Sequence, residues 1–577
     1  MFHISKDYAF GLKNFIKSDD TILEMKKEYI HFVLLCLSYL FLMNIFNNFE
    51  LGHDQSRHAN DGALWYYYLH GYGSREFSSY DEFIFSFPEF SRSKIAWYFL
   101  YDPPVHALMT AASYTVFGMN EFAARFPSQL LNILGIFFLF LLAKEFTTEK
   151  NALLIAFLYG SIPLVFHLGR DAMIDAGAAS FLIAWMYFSF FLASKHESWK
   201  KYCCFSAGGI ALALAILTKY TAVFFFVGFL AVYGMYLLWS NFKNKEKLFC
   251  TSNKQLLFCI MIQIGLLVVL SLPWISYSWF TGGVLEKLAP VRTENWTQQG
   301  YLYNIFYLFY ELGIESVGLF VLLFLLYFGR NAIHQKHAPL LSFIVATLFI
   351  VPLYFTNIQP RYFLAIFAFA SIIIFILTVD IFSEKTAQRI FLCYTFIFLF
   401  ISITLSYLVL QNNGAIDTSG FDATFSSLKA PALFFGYYGN FDTVDIVSGP
   451  HILAVKSWWQ YWSSYFLEDT SLFNIELNTE NPYTNHYANP DLFMFRFFQR
   501  LETHPEIGFV YLSAAELQGE YGSDVLQIMN STKDSIPTYF ILPNTNNGEE
   551  YTSMEQFLAG VNTQKHSYPY WDFYEVK

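Results

Sequence analysis

Long apolar runs recur along this chain, separated by short polar segments, in a pattern unlike the one-sided stripes of soluble helices or the alternation of strands. Crossing roughly 30 Å of hydrocarbon takes about 20 mostly apolar residues. The pattern predicts eleven spans, near 30–48, 126–143, 151–168, 176–193, 203–217, 220–240, 256–279, 302–328, 339–355, 361–382 and 390–410. The run 103–118 is shorter, about 24 Å as a helix, and is read as a helix lying on the membrane surface. With it there, the loops 144–150, 195–201, 241–255, 329–338 and 383–389 share one side and hold 13 Lys/Arg. The opposing short loops hold only Arg170, Lys219, Lys287, Arg292 and Arg361. By the positive-inside rule the first set is cytoplasmic.

Composition agrees with this class: 55% of residues are hydrophobic and 14% charged, outside the range of a soluble globule. The expected fold is an α-helical polytopic membrane protein carrying a soluble C-terminal α/β domain outside the cytoplasm. Its parts are a cytoplasmic segment 1–29, a transmembrane domain 30–411 with a long first outer loop at 49–125, and the tail 412–577. The first span is expected to act as an uncleaved insertion signal. All six cysteines fall in cytoplasmic loops or inner helix halves, which suits a reducing compartment and offers no disulfide framework. The tail carries 20 Asp/Glu against 7 Lys/Arg, a field that argues against nucleic acid as a ligand. Within it, 508–512, 538–543 and 571–576 read as strands, and 456–466 and 553–559 as helical stretches.

Candidate chemistry gathers on the outer side. In the first loop, HDQSRHANDGALWYYYLHG offers Asp54 as an N-cap ahead of a helix whose Trp65, Tyr66 and Tyr67 suit the headgroup layer. Asp102-Pro103-Pro104 announces a second helix with Asp102 as N-cap and Gly118 as its stop. Either carboxylate could accept a proton from a hydroxyl or ligate a divalent cation, and either could be a cap and nothing more. At the end of the 151–168 span, HLGRDAMIDAG places Arg170, Asp171 and Asp175, charges that are costly near a bilayer unless paired or functional. Arg170 could pair with Asp171 or reach lipid phosphate. Lys219 in ILTKYT, Arg292, and Arg361 with Tyr362 in NIQPRYF stand at outer helix ends, as cations able to hold a phosphate group.

The order of the Asp54 loop, the Asp-Pro-Pro helix, FGMNEFAARFPS at 117–128, GRDAMIDAG at 169–177, LTK at 217–219 and QPRYFLAI at 359–366 resembles the bacterial branch of the protein O-mannosyltransferase superfamily. It is also similar to the aminoarabinose transferases that modify lipid A, within the GT-C class. Gln55 stands where family members have Glu, and Pro103 where the aminoarabinose branch has Lys. The resemblance implies an enzyme of the bacterial inner membrane, with its N-terminus cytoplasmic and its C-terminal domain periplasmic or extracellular. It would move a sugar from a polyprenyl-phosphate carrier to a hydroxyl of a glycolipid, polysaccharide or protein. In that scheme Asp54 and Asp102 are the catalytic carboxylates, Asp54 being the base, and Arg170, Asp175, Lys219, Arg292, Arg361 and Tyr362 bind substrate. No cofactor is implied except a divalent metal ion, with Asp54 and Asp102 as its candidate ligands. The rival readings from the residues are a transporter or flippase of a lipid-linked or small polar substrate, and a non-catalytic envelope scaffold.

The loop charges require that a topology reporter fused after Phe242 reads cytoplasmic and one fused after Gln411 reads external. Both reporters on one side would overturn the arrangement.

Overall fold

The structure is a computed structural model that describes residues 27–45, 53–71, 76–86, 102–196, 198–243, 251–280, 321–327, 334–354 and 360–411, with five strands between 451 and 576. In chain order the helices are α1 (Lys27–Ile45), α2 (His53–His70), α3 (Tyr80–Phe85), α4 (Pro104–Phe117), α5 (Glu121–Ala143), α6 (Glu149–Ser161) and α7 (Pro163–Arg170). Then follow α8 (Ile174–Met186), extended by a π turn over Tyr187–Leu192, α9 (Ser198–Ile216), α10 (Ala222–Lys243), α11 (Thr251–Phe280), α12 (Ala338–Tyr354), α13 (Leu364–Ile381) and α14 (Glu384–Gln411).

Among the described residues, six helices are long and apolar enough to cross a bilayer, and a seventh span arises if the bent pair α6 and α7 is counted as one. The chain is an integral membrane protein. Of the other expected spans, 203–217 and 339–355 form α9 and α12. Lys200 and Lys201 make the first turn of α9 polar, and α12 has only 17 residues. The expected span at 302–328 lies mostly outside the described residues.

The 151–168 run is not one straight helix. It bends by 69° between Ser161 and Pro163, because the residue before a proline is pushed out of the helical region and proline is accommodated at a helix start. Ile162 accordingly has ψ 124°, and Pro163 opens α7. Carbonyls at the bend find side-chain donors elsewhere. Tyr39 Oη of α1 donates to Gly160 O at 2.7 Å, and Ser402 Oγ of α14 donates to Ser161 O at 3.2 Å.

Contacts join described residues of four of the five loops read as sharing one side. Lys195 pairs with Glu145, and Asn151 Nδ2 donates to Glu384 Oε1 at 2.8 Å. His337 stacks on Phe146.

Within 49–125, α2 and α4 pack along each other, so the described helices of this loop form folded structure. Tyr67, expected to face headgroups, is buried instead, and Tyr114 Oη donates to Ala59 O across the helix pair. Trp65 and Tyr66 are half-buried. Gly118 stops α4 with a φ of +74°, as the sequence suggests.

The described strands β1 (His451–Lys456), β2 (Gly508–Ser513), β3 (Thr538–Pro543), β4 (Thr563–Ser567) and β5 (Trp571–Val576) form one sheet in the order β2-β1-β3-β5-β4. All its pairings are antiparallel. The three strands read from sequence are β2, β3 and β5. The expected helical stretches 456–466 and 553–559 lie outside the described residues, apart from Lys456, which ends β1.

The contact of α2 with α4 depends on Gly62, where an added Cβ would come within 2.5 Å of Thr110 Cβ. Gly62→Ala is therefore expected to push the helices apart and cost about 1–3 kcal/mol of stability. Thermal unfolding of the detergent-solubilised protein measures this, and an unchanged midpoint would show that the close approach is not required.

Candidate active site

Helix α2 presents Arg57, His58 and Asp61 to the start of α4. His58 and Asp61, three residues apart, share one helix face. His58 Nδ1 lies 3.1 Å from Asp102 Oδ2 and 3.7 Å from Asp61 Oδ2, and Arg57 Nη2 lies 3.5 Å from Asp102 Oδ2. His58, Asp61 and Asp102 are each at most 5% exposed. Asp102 is not the N-cap expected from sequence. That position belongs to Pro103, which offers no side-chain acceptor, and one orphan N–H of the first turn, that of Val105, donates to Leu217 O at 3.0 Å. The Asp102 carboxylate is thereby left to the cationic groups of α2.

Asp54 is likewise not a cap, since helix α2 already begins at His53. Its side chain lies outside the described residues; in sequence it stands one helical turn before His58. Gln55, next to it in the chain, is buried.

Burial sets the electrostatics of this cluster. Taking the Asp61 carboxyl out of water pushes it up to about 6, against the opposing pull of His58. Burial and Arg57 work against a charge on His58, but the Asp102 and Asp61 carboxylates outweigh them, and His58 is raised above the ordinary imidazole range. His106, one turn into α4, is driven down to about 3 by burial and by His58, and is neutral. Its ring stands 5.9 Å from that of His58.

One imidazole nitrogen and two carboxylate oxygens, from His58, Asp61 and Asp102, lie within 4.8 Å of one another. His58 Nδ1 and Asp61 Oδ1 have no aligned hydrogen bond among the described residues, and this mixed N/O donor set fits a divalent ion.

A second group lies beside the starts of α8 and α13. Lys219 pairs with Asp175 and sits 4.8 Å above the Tyr362 ring. These three residues and Arg361 line one cleft, together with apolar residues that include Leu182 and Phe225. Four of the residues picked out as substrate-binding thus share one cleft. Arg170 is placed differently: its Nε donates to Asp171 Oδ1 at 3.0 Å, both side chains are buried, and this is the pairing that the sequence offered as the plain explanation. Arg292 lies outside the described residues.

Sequence reading passed over His58, Asp61 and His106. The i, i+3 spacing of His58 and Asp61 was the available signal, but the same spacing marks any solvated helix face.

Residues 101–276 match the family model described as dolichyl-phosphate-mannose-protein mannosyltransferase. A curated relative, an uncharacterized protein of Aquifex aeolicus (strain VF5), is 32% identical over 125 residues. That match covers 21% of this chain and 24% of the relative, so it spans about a quarter of the relative's length. Among solved structures, the chain is similar to ArnT from Cupriavidus metallidurans in the apo state, with a TM-score of 0.56 and 14% identity over 95% of this chain and 98% of that one. The archaeal oligosaccharyltransferase AglB from Archaeoglobus fulgidus, in complex with an inhibitory peptide and a dolichol-phosphate, gives a TM-score of 0.45 and 13% identity over 70% and 60%. At 14% identity the likeness to ArnT is one of fold. The chain resembles the GT-C class to which its motifs pointed.

The burial of the acid cluster has a pH signature. With its folded value near 6, above the ordinary carboxylate value of about 3.9, Asp61 holds a proton that the unfolded chain releases. The stability from that proton is complete below about pH 4 and is lost as pH rises through about 6. His58 acts with the same sign further up, complete below about 6.5 and lost as pH rises through its raised folded value. In chelator-treated full-length protein, the melting temperature of the parent relative to Asp61→Asn should therefore fall as the buffer moves from about pH 4.5 to about pH 7. A difference that stays flat or grows would overturn the burial assigned to Asp61.

Proposed function

We propose that this chain is a membrane glycosyltransferase that moves a sugar from a polyprenyl-phosphate carrier to a hydroxyl acceptor on the outer face, with inversion at the sugar carbon. The supporting observation is the juxtaposition of a buried acid and imidazole cluster with a cleft holding Lys219 and Arg361 over an aromatic floor. The hydrogen bond from Val105 N to Leu217 O joins the two. The match of residues 101–276 to the mannosyltransferase family, whose name includes a dolichyl-phosphate donor, supports the same donor class here.

The chemistry asks for a base at the acceptor and positive charge at the leaving group. A carboxylate, assigned to Asp54, takes the hydroxyl proton as the acceptor oxygen bonds to the anomeric carbon from the face opposite the phosphate. The bond from that carbon to the phosphate oxygen breaks, and the electron pair leaves with the phosphate. Lys219 and Arg361, with Arg292 as a further contact, stabilise the charge that develops there. Tyr362 and the cleft's apolar wall lower the local dielectric and strengthen that attraction. Asp175 holds Lys219 in place, and Asp102, held by Arg57 and His58, orients the acceptor. A divalent ion held by His58, Asp61 and Asp102 would supply Lewis-acid charge at this point.

One observation favours a transporter instead. The bent pair α6 and α7 is a discontinuous span, a device used in transporters to line a substrate path. Proteoliposomes loaded with radiolabelled polyprenyl-phosphate sugar separate the two readings, because a transporter relocates label without making a new glycosidic bond.

In that assay Asp54→Asn should lower transfer by about a hundredfold or more at normal membrane yield, since the amide cannot accept the proton. Activity should fall from the parent through Arg361→Lys to Arg361→Ala, with the loss in turnover, because arginine can hold phosphate through two parallel hydrogen bonds and lysine only as a point charge. Near-normal turnover in Asp54→Asn would remove the base from that residue. Small, similar effects at Arg361 would make it a helix-end arginine that meets bulk lipid.

A further inference from the structure

Between the acid cluster and the cleft lies His106, a buried imidazole with no part in the scheme above. Its Nε2 is 2.9 Å from Ser128 Oγ on α5, and that oxygen is 2.9 Å from Met173 O. Both side chains are at most 2% exposed. A hydroxyl has a single proton, and a carbonyl can only accept. If Ser128 satisfies Met173 O, it has nothing left to donate to His106 and must accept from it, so Nε2 carries the hydrogen.

Met173 is the N-cap of α8 and supplies no side-chain cap of its own. Asp175, the partner of Lys219, stands in the first turn of that helix. The turn before it is short and tightly closed, with Met173 N donating to Asp171 O at 2.7 Å. His106 thus touches the acid cluster through the His58 ring and the start of α8 through Ser128.

We infer that His106 is a positioning residue: as the Nε2–H tautomer it donates to Ser128, and so commits the one Ser128 proton to the Met173 carbonyl that fixes the start of the helix presenting Asp175 to Lys219. The chain of contacts links the Asp-Pro-Pro helix, FPS in α5 and GRDAMID, three sequence motifs otherwise separate. Its kinetic consequence rests on the reading given under Proposed function; its structural consequence does not.

Hydrogen–deuterium exchange of the full-length protein in detergent tests the structural part. Ser128→Ala and His106→Leu should each raise exchange over the first two turns of α8 by about tenfold, the effect of losing one buried hydrogen bond. His106→Gln, whose amide can donate from the position of Nε2, should return it to within about twofold of the parent. Donor kinetics test the functional part: KM for the polyprenyl-phosphate sugar should rise about five- to tenfold in Ser128→Ala and His106→Leu, with kcat within about twofold and recovery in His106→Gln. Unchanged exchange in Ser128→Ala overturns the proposal, as does His106→Gln behaving like His106→Leu. Should His106→Leu fail to fold, Ser128→Ala and His106→Gln decide by themselves. Raised exchange without a change in KM confines the clamp to structure and rejects its role in donor binding. A parent without transferase activity would count against the glycosyltransferase reading, while exchange would still decide the clamp.

Discussion

A carboxylate shut away from water must find positive charge or give up its own, and the arrangement around Asp102 follows from that requirement. Pro103 takes the cap position, so Asp102 cannot spend its charge on the N–H groups of α4. It turns to Arg57 and His58 on α2 instead. Those groups reach it only because α2 lies against α4 at van der Waals distance, which the missing side chain of Gly62 permits. Asp61, three residues beyond His58, is carried into the same dry space and becomes a weaker acid. One dipeptide, Pro103-Pro104, thus converts a capping aspartate into the anchor of a charged cluster.

The apolar spans were legible because their signal is long and needs no partner: α5, α8, α10, α11, α13 and α14 each announce themselves by twenty or so consecutive residues. Outer cations such as Lys219 and Arg361 were legible for the opposite reason, being scarce in an apolar setting, and the structure brings them with Asp175 and Tyr362 to one cleft. Arg170 shows the limit of that reasoning, since a neighbour in sequence, Asp171, takes up its charge. The cluster of His58, Asp61 and Asp102 could not be read, because Asp102 is 41 residues from Asp61 and only tertiary packing of α2 on α4 makes the face of α2 a dry one. Tyr67 was misread on the same ground: its aromatic ring suits an interface, but the partner helix covers it. The bend at Pro163 was present in the sequence and was outweighed by the apolar run around it.

Helix α5 does more than cross the bilayer. Through Ser128 and Gln129 it meets the backbone of Met173 and, at a longer 3.5 Å, of Arg170, so both sides of the turn between α7 and α8 rest on one polar stretch beside Pro127. Polar side chains that hydrogen-bond across helices hold membrane bundles together where the hydrophobic effect gives no net drive. Here the same bonds hold the turn that carries the charged residues, so the placement of the site is inherited from a helix apolar enough to cross the membrane.

The interruption at Ile162–Pro163 ties together parts of the chain that are made at very different times. Gly160 O is met by Tyr39, synthesised 121 residues earlier, whereas Ser161 O is met by Ser402, synthesised 241 residues later. An unsatisfied carbonyl in hydrocarbon costs several kcal/mol, roughly what a single buried polar group loses on leaving water. While α14 is still being translated, the bend therefore lacks one of its two stitches. Closure of the bend waits for residue 402: α14 is the latch that completes a break made hundreds of residues before it.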